Sequence, residues 1–509
     1  MSPMRDSTPT PAENSNDLPV SGGIVRPRRR IFVSTSSLFA SNLLMAALGA
    51  LALKLMTHRL GPDSYGIFVT ATTVVSTSEF LTDLGVNSVT GREIARNPKD
   101  AEKVLSFNLG LRLSLSAVLI PFVWVIGDLV YRASPEDVRF GIAIVAITVP
   151  FDAIRAVSVG YFVASISNHW TAAINLFQQV LWVSGLAFAL SVGAGVRGCF
   201  YAYLGSMVIL AAVSYGLVYR QVRFRPRFSV RNWVRIIRQS ISIGLIQIIG
   251  VVYLRADIIL LSVMTSVYQV AIYGLAYAFI TFFEFFSSAF MTSMLPVMTR
   301  SRAEELKPTI EWAVSYMAMA NCLIAAGVIC IGPAVVRLVS SNKFGSAATP
   351  LSILAVSLVF SSLRNIFGFA CFSRDRHQKL VPVTIAALVL NVILNLIAIP
   401  RWGVNGSAGA TVVSEAFALM AYYLVFRHAV GVRVAFVRRL LRPVAAAGVA
   451  VVVFRVCLWS PHATASMALL VGLGVTGLFL AVLAILRGLP PDFRVAGRRA
   501  LDALLGRES

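Results

Sequence analysis

Long apolar runs alternate with short polar or basic interruptions along almost the whole chain. A helix crossing a bilayer core needs about 20 apolar residues. Fourteen runs meet that length: 32–57, 64–88, 104–131, 138–164, 169–193, 198–219, 239–262, 267–297, 309–336, 348–372, 380–400, 406–427, 441–458 and 466–486. The predicted fold class is therefore all-α, a polytopic membrane protein of about 14 transmembrane helices.

The interruptions fix an orientation. With a cytoplasmic N-terminus, the segments on that side hold 32 of the 45 Lys and Arg residues; the opposite side holds seven, and six lie inside spans. This positive-inside bias predicts that both termini are cytoplasmic, in a bacterial cytoplasmic membrane. The expected organisation is a tail (1–31), a first lobe of six spans (32–219), a basic linker (220–238), a second lobe of six (239–427), two added spans within 428–486, and a second tail (487–509).

Composition agrees. The chain is 57% hydrophobic and 13% charged, with mean hydropathy +0.77, whereas a soluble domain is nearer a quarter charged. A net charge of +22 would suggest nucleic acid in a soluble protein. Here the basic residues sit between apolar runs, so anionic lipid headgroups are the expected partner and nucleic acid is not. Residues 1–31 have no apolar core and read as a disordered tail, closing on the anchor "RPRRR" at 26–30.

The five cysteines are scattered without a CxxC and read as small packing residues. The five histidines lack metal-ligand spacing. No nucleophile, metal or phosphate-loop motif stands out, so no cofactor, metal or ATP-driven step is expected. No external loop is long enough to fold as a domain, which disfavours a membrane glycan polymerase or ligase.

The chain reads as built twice. "SYGIFVTATTVVSTSEFL" (64–81) and "IYGLAYAFITFFEFF" (272–286) each begin with Tyr-Gly near one end of a span and carry one glutamate, Glu79 or Glu284. The most basic linker lies between spans six and seven, so both halves enter the membrane the same way round. Parallel repeats of this kind enclose a cavity between two lobes.

These stretches carry a family resemblance. "HRLGPDSYGIFVTATTVVSTSEFLTDLGV" (58–86) resembles a recurrent N-terminal stretch of Wzx-type polysaccharide-export flippases, and "RADIILLSVMTSVYQVAIYGLAYAF" (255–279) resembles their second-half signature. The resemblance implies a MATE-like fold of two six-helix lobes with two added C-terminal helices. It implies flipping of a polyprenyl-diphosphate-linked oligosaccharide, a precursor of cell-envelope or exported polysaccharide, across the cytoplasmic membrane. It further implies glycan-assembly enzymes as partners and alternating access driven by an Na⁺ or H⁺ gradient or by removal of product.

Ionisable residues deep in spans face a bundle interior or a water-filled cavity. Arg255 and Arg364 fall well inside second-half spans without a carboxylate on the same helix face, and a guanidinium offers a diphosphate a planar, bidentate fork. Together with Arg155 or Arg112 from the first half, they are the predicted substrate-binding residues. Arg112 also lies where snorkelling to the cytoplasmic surface is open to it, and Arg155 is spaced to pair with Asp152 on one helix face. Glu79, Asp83, Asp257 and Glu284 are the predicted cavity or ion-coupling residues. Glu79 and Glu284 fit equally as inter-helix hydrogen-bonding groups. Arg255 and Asp257 stand about 200° apart on their helix, so one faces the cavity and the other a neighbouring helix. A MATE-type exporter of drugs or metabolites is the rival reading; unpaired acidic residues should dominate its cavity. A membrane scaffold would need none of these buried charges.

Overall fold

A computed structural model describes residues 44–165, 167–458 and 465–489. The predicted N-terminal tail with "RPRRR", residues 490–509 of the predicted C-terminal tail and the first twelve residues of the first predicted span lie outside the described residues. Among the described residues the chain is helical throughout, with no strand.

The first helix, α1, spans 44–59. It is followed by α2 (Pro62–Asp83), α3 (Val86–Arg96), α4 (Ala101–Val130), α5 (Glu136–Ala146), α6 (Val149–Ala164), α7 (Asn168–Ser191) and α8 (Gly195–Tyr219). The second half holds α9 (Val230–Met264), α10 (Val267–Arg300), α11 (Ala303–Val339), α12 (Ala348–Phe372) and α13 (Val381–Val430); α14 (Phe436–Leu458) and α15 (Ala465–Ile485) pack on one another and against α11. Eight described helices are each long and apolar enough to cross a membrane, and α5 with α6 does so across a 41° bend.

Local chemistry explains where the helices depart from the expected spans. The predicted span 64–88 ends early: Leu84 (φ 44°) and Gly85 (φ 75°) are left-handed, and the chain restarts as the more polar α3. The span predicted at 138–164 bends at Ile147–Thr148, just before Pro150, whose missing N–H favours a new helix start. Residues 230–238 of the predicted linker are helical and form the first turns of α9. The runs predicted at 380–400 and 406–427 join in α13, which reverses at Gly403 (φ 53°, ψ −132°) to give two arms.

The two halves meet along α2. A Cβ on Gly66 would overlap the Val267 carbonyl of α10, and a Cβ on Gly274 would press on Val69 of α2. The repeated Tyr-Gly motifs thus bring the matching helices of the two halves into backbone contact. At the other end of α2, Gly85 lies against Gly244 and Ser240 of α9, with no room for a side chain. Tyr131 and Ser262 add a hydrogen bond of 2.7 Å between α4 and α9.

Candidate functional site

Two groups of buried ionisable residues stand out, one in each half. In the first, Asp83 sits at the last position of α2, beside the Leu84–Gly85 break. Its Oδ1 accepts the backbone N–H of Asn87 at 3.2 Å, at the start of α3, and Arg112 Nη1 from α4 at 3.4 Å. Arg112 is 3% exposed, so it does not snorkel to the surface; Asp83 supplies the countercharge within the helix bundle. On α6, both Nε and Nη2 of Arg155 donate to Asp152 Oδ1, at 2.8 and 2.6 Å. Glu79 is half-buried beside this pair and within electrostatic reach of Asp152, Arg155 and Arg112.

In the second half, Asp257 on α9 is 5% exposed and receives three hydrogen bonds. Thr411 Oγ1 donates at 2.5 Å, Tyr273 OH at 2.7 Å and Asn395 Nδ2 at 2.8 Å. These donors come from both arms of α13 and from α10, so the Gly403 reversal is what places Asn395 and Thr411 on either side of one carboxylate. A buried carboxylate held by hydrogen bonds alone is rare, because desolvation must be offset by every available donor.

A second buried carboxylate, Glu415, lies one turn beyond Thr411 and is also 5% exposed. It accepts Arg364 Nε of α12 at 2.9 Å and Tyr253 OH of α9 at 3.0 Å. The Arg364 guanidinium also lies 5.8 Å and 5.5 Å from the ring centres of Tyr253 and Tyr422. Glu284 on α10 accepts the Ser361 hydroxyl at 3.4 Å. Asp257, Glu284 and Glu415 all line one small, partly open cavity of about 20 Å³, room for one water-sized species.

Three of the four arginines expected around a diphosphate are taken up by carboxylates. Arg112 pairs with Asp83, Arg155 with Asp152 and Arg364 with Glu415. Arg364 lacks a carboxylate on its own helix, as its sequence context indicates, but receives one from α13. Arg255 differs: it is half-buried on α9 and has no hydrogen-bond or ion-pair partner among the described residues. Of the Arg255–Asp257 pair, Asp257 is the residue that faces neighbouring helices. Sequence reading missed Asn391, Asn395, Thr411 and Tyr253. The available signal was the pair of asparagines four residues apart in the apolar run "LVLNVILNLIAI" (388–399), which fall on one helix face.

The profile of the family described as polysaccharide biosynthesis protein matches residues 32–302, more than half of the chain. The chain belongs to this family. A curated relative, the probable low-salt glycan biosynthesis flippase Agl15 of Haloferax volcanii, is 24% identical over 400 residues, spanning 77% of this chain and 83% of the relative. The fold is that of the lipid II flippase MurJ in an inward closed conformation, with TM-score 0.76 at 12% identity over 88% of this chain and 98% of that one. It is also similar to an inward-facing multidrug resistance MATE transporter of the MOP superfamily, with TM-score 0.64 at 18% identity over 77% and 96% of the two chains. This member of the polysaccharide biosynthesis family is therefore an all-helical, multi-pass membrane protein with a MurJ- and MATE-like fold.

Proposed function

We infer that this chain is a flippase that moves a polyprenyl-diphosphate-linked oligosaccharide, a precursor of envelope or exported polysaccharide, across the cytoplasmic membrane. Family membership carries the reading, and the relative named as a glycan biosynthesis flippase supports it. Residues 32–219 and 239–427 are the rocking lobes, 220–238 the basic connection between them and 428–486 the added pair of helices, with both termini cytoplasmic. Alternating access across a lobe interface fits a polar headgroup that crosses while its lipid tail stays in the bilayer.

The observation that best supports an anionic headgroup is Arg255. A half-buried guanidinium without a countercharge is costly in a membrane protein unless something anionic visits it. Arg112, Arg155 and Arg364 are already neutralised, so their part in substrate binding is to hold the walls around that contact. Asp257, Glu79, Glu284 and Asp83 are the coupling candidates, and an Na⁺ or H⁺ gradient is the driving force they would read. Glycan-assembly enzymes and anionic lipids are the expected partners. The MATE-type drug exporter is the weaker reading, since an unpaired cation suits an organic cation poorly.

Replacing Arg255 by Gln tests the assignment. Translocation of a polyprenyl-diphosphate oligosaccharide in proteoliposomes falls by tenfold or more while the fold is retained. Unchanged translocation removes Arg255 from the substrate path.

A further inference from the structure

The two arms of α13 leave an open groove of about 780 Å³ beside the Gly403 reversal. Small residues create it. A Cβ on Gly406 would overlap the Ala398 carbonyl, so the arms touch backbone to backbone near the reversal. A Cβ on Gly409 would meet nothing within 4 Å, so the floor of the groove is bare. Ile397 and Val413 wall it and are 49% and 52% exposed, the exposure of side chains that face lipid.

The groove is polar at one end and apolar at the other. Arg401, Trp402 and Asn405 line it at the reversal, and Leu394 and Val413 line it furthest along the arms. Leu394 precedes Gly403 by nine residues, about 14 Å along a helix axis. One leaflet offers a hydrocarbon depth of about 15 Å, half of the bilayer core. The groove thus runs the depth of one leaflet, with an arginine and a tryptophan at headgroup level, where such residues anchor.

Charge selects the headgroup. No acidic residue lines the groove. At the same end of the bundle Arg132 and Arg139 pair with Asp128, and Arg197 pairs with Asp137. Arg401 has no carboxylate partner among the described residues; Nη1 donates to the Ile397 carbonyl at 2.8 Å. The other N–H groups of its fork are left for a phosphate.

We propose that this groove binds a single anionic phospholipid, its phosphate on Arg401 and one acyl chain laid over Gly409 between the arms. Gln269 lines the groove just after α9 has crossed from the basic linker, so the site lies in the leaflet away from that linker. It is separate from the headgroup contacts of the linker itself, and it rests neither on the flippase reading nor on Arg255. Its neighbours give it a consequence. Leu394 and Ala410 adjoin Asn395 and Thr411, which hold Asp257 from other faces of the same two arms. A lipid seated in the groove sets the spacing of the arms, and with it the geometry around that carboxylate.

Fluorescence quenching tests this at the site. Trp402 is 64% exposed and adjoins Arg401, and its signal is the difference between the full chain and Trp402→Phe. The full chain is placed in phosphatidylcholine vesicles that contain phosphatidylglycerol or phosphatidylcholine brominated high on one acyl chain. A free phosphate ion carries no quencher, so only a lipid gives a signal. Brominated phosphatidylglycerol quenches Trp402 several-fold more than brominated phosphatidylcholine at the same mole fraction. Arg401→Gln abolishes the preference, and so does Gly409→Leu, which fills the groove from a position with open space. Both changes lie outside the packed core, so the unfolding temperature is retained. Equal quenching by the two lipids in the wild-type protein marks an ordinary lipid contact and overturns the proposal. A preference that survives either substitution overturns it as well.

Discussion

Arg364 and Glu415 meet 2.9 Å apart between α12 and the second arm of α13, and Tyr253 braces both, donating to Glu415 and presenting its ring to Arg364. Both side chains are largely buried. Breaking one partner of a buried pair leaves an uncompensated charge and costs about 3–5 kcal/mol. Arg364→Ala and Glu415→Ala should therefore each lower the unfolding temperature of the protein in nanodiscs sharply, and the double replacement with leucine should recover much of the loss. Single variants as stable as the wild type would mean that the pair contributes no stability.

Asp257 is satisfied by three donors from three directions. Asp257→Ala strands Tyr273, Thr411 and Asn395 together, at about 1–3 kcal/mol for each donor left unpaired. Asp257→Asn, which keeps an acceptor oxygen, should cost less. Thermal unfolding of the two variants side by side checks the order; equal losses would show that the hydrogen bonds are not what matters there.

Gly85 and Gly244 form the contact between the α2–α3 break and α9. Gly244→Ala places a methyl against the Leu84 carbonyl and should spread this seam. Maleimide labelling of a single cysteine placed at Ser240, which is buried at the seam, should rise several-fold in the Gly244→Ala background. Labelling that stays at the background level would show that the seam tolerates the methyl without opening.

Arg255 was legible from sequence as a charge in an apolar helix, and so was its opposite placement to Asp257, because helical periodicity alone sets both. The doubled architecture was legible from the succession of apolar runs and the Tyr-Gly repeat, and the two-lobe fold from the family resemblance. Partners across helices were not. Glu415 reaches Arg364 from 51 residues away, and Thr411 reaches Asp257 from 154, through a reversal at Gly403 that hydropathy does not encode. The break at Ile147–Thr148 was also invisible to hydropathy, since apolar character continues across it and only the following proline marks it; at Leu84–Gly85 the glycine and the polar residues of α3 mark the break.

The central claim is that Arg255, unpaired among the described residues, serves a diphosphate-bearing glycolipid. The full chain reconstituted into liposomes, with a fluorescent polyprenyl-diphosphate oligosaccharide in one leaflet, measures this most directly through protection of the glycan from a membrane-impermeant quencher. The account predicts protein-dependent transfer between leaflets that Arg255→Gln reduces by tenfold or more with the unfolding temperature unchanged. Transfer that proceeds equally with Arg255→Gln, or a wild-type protein that transfers none, would contradict it.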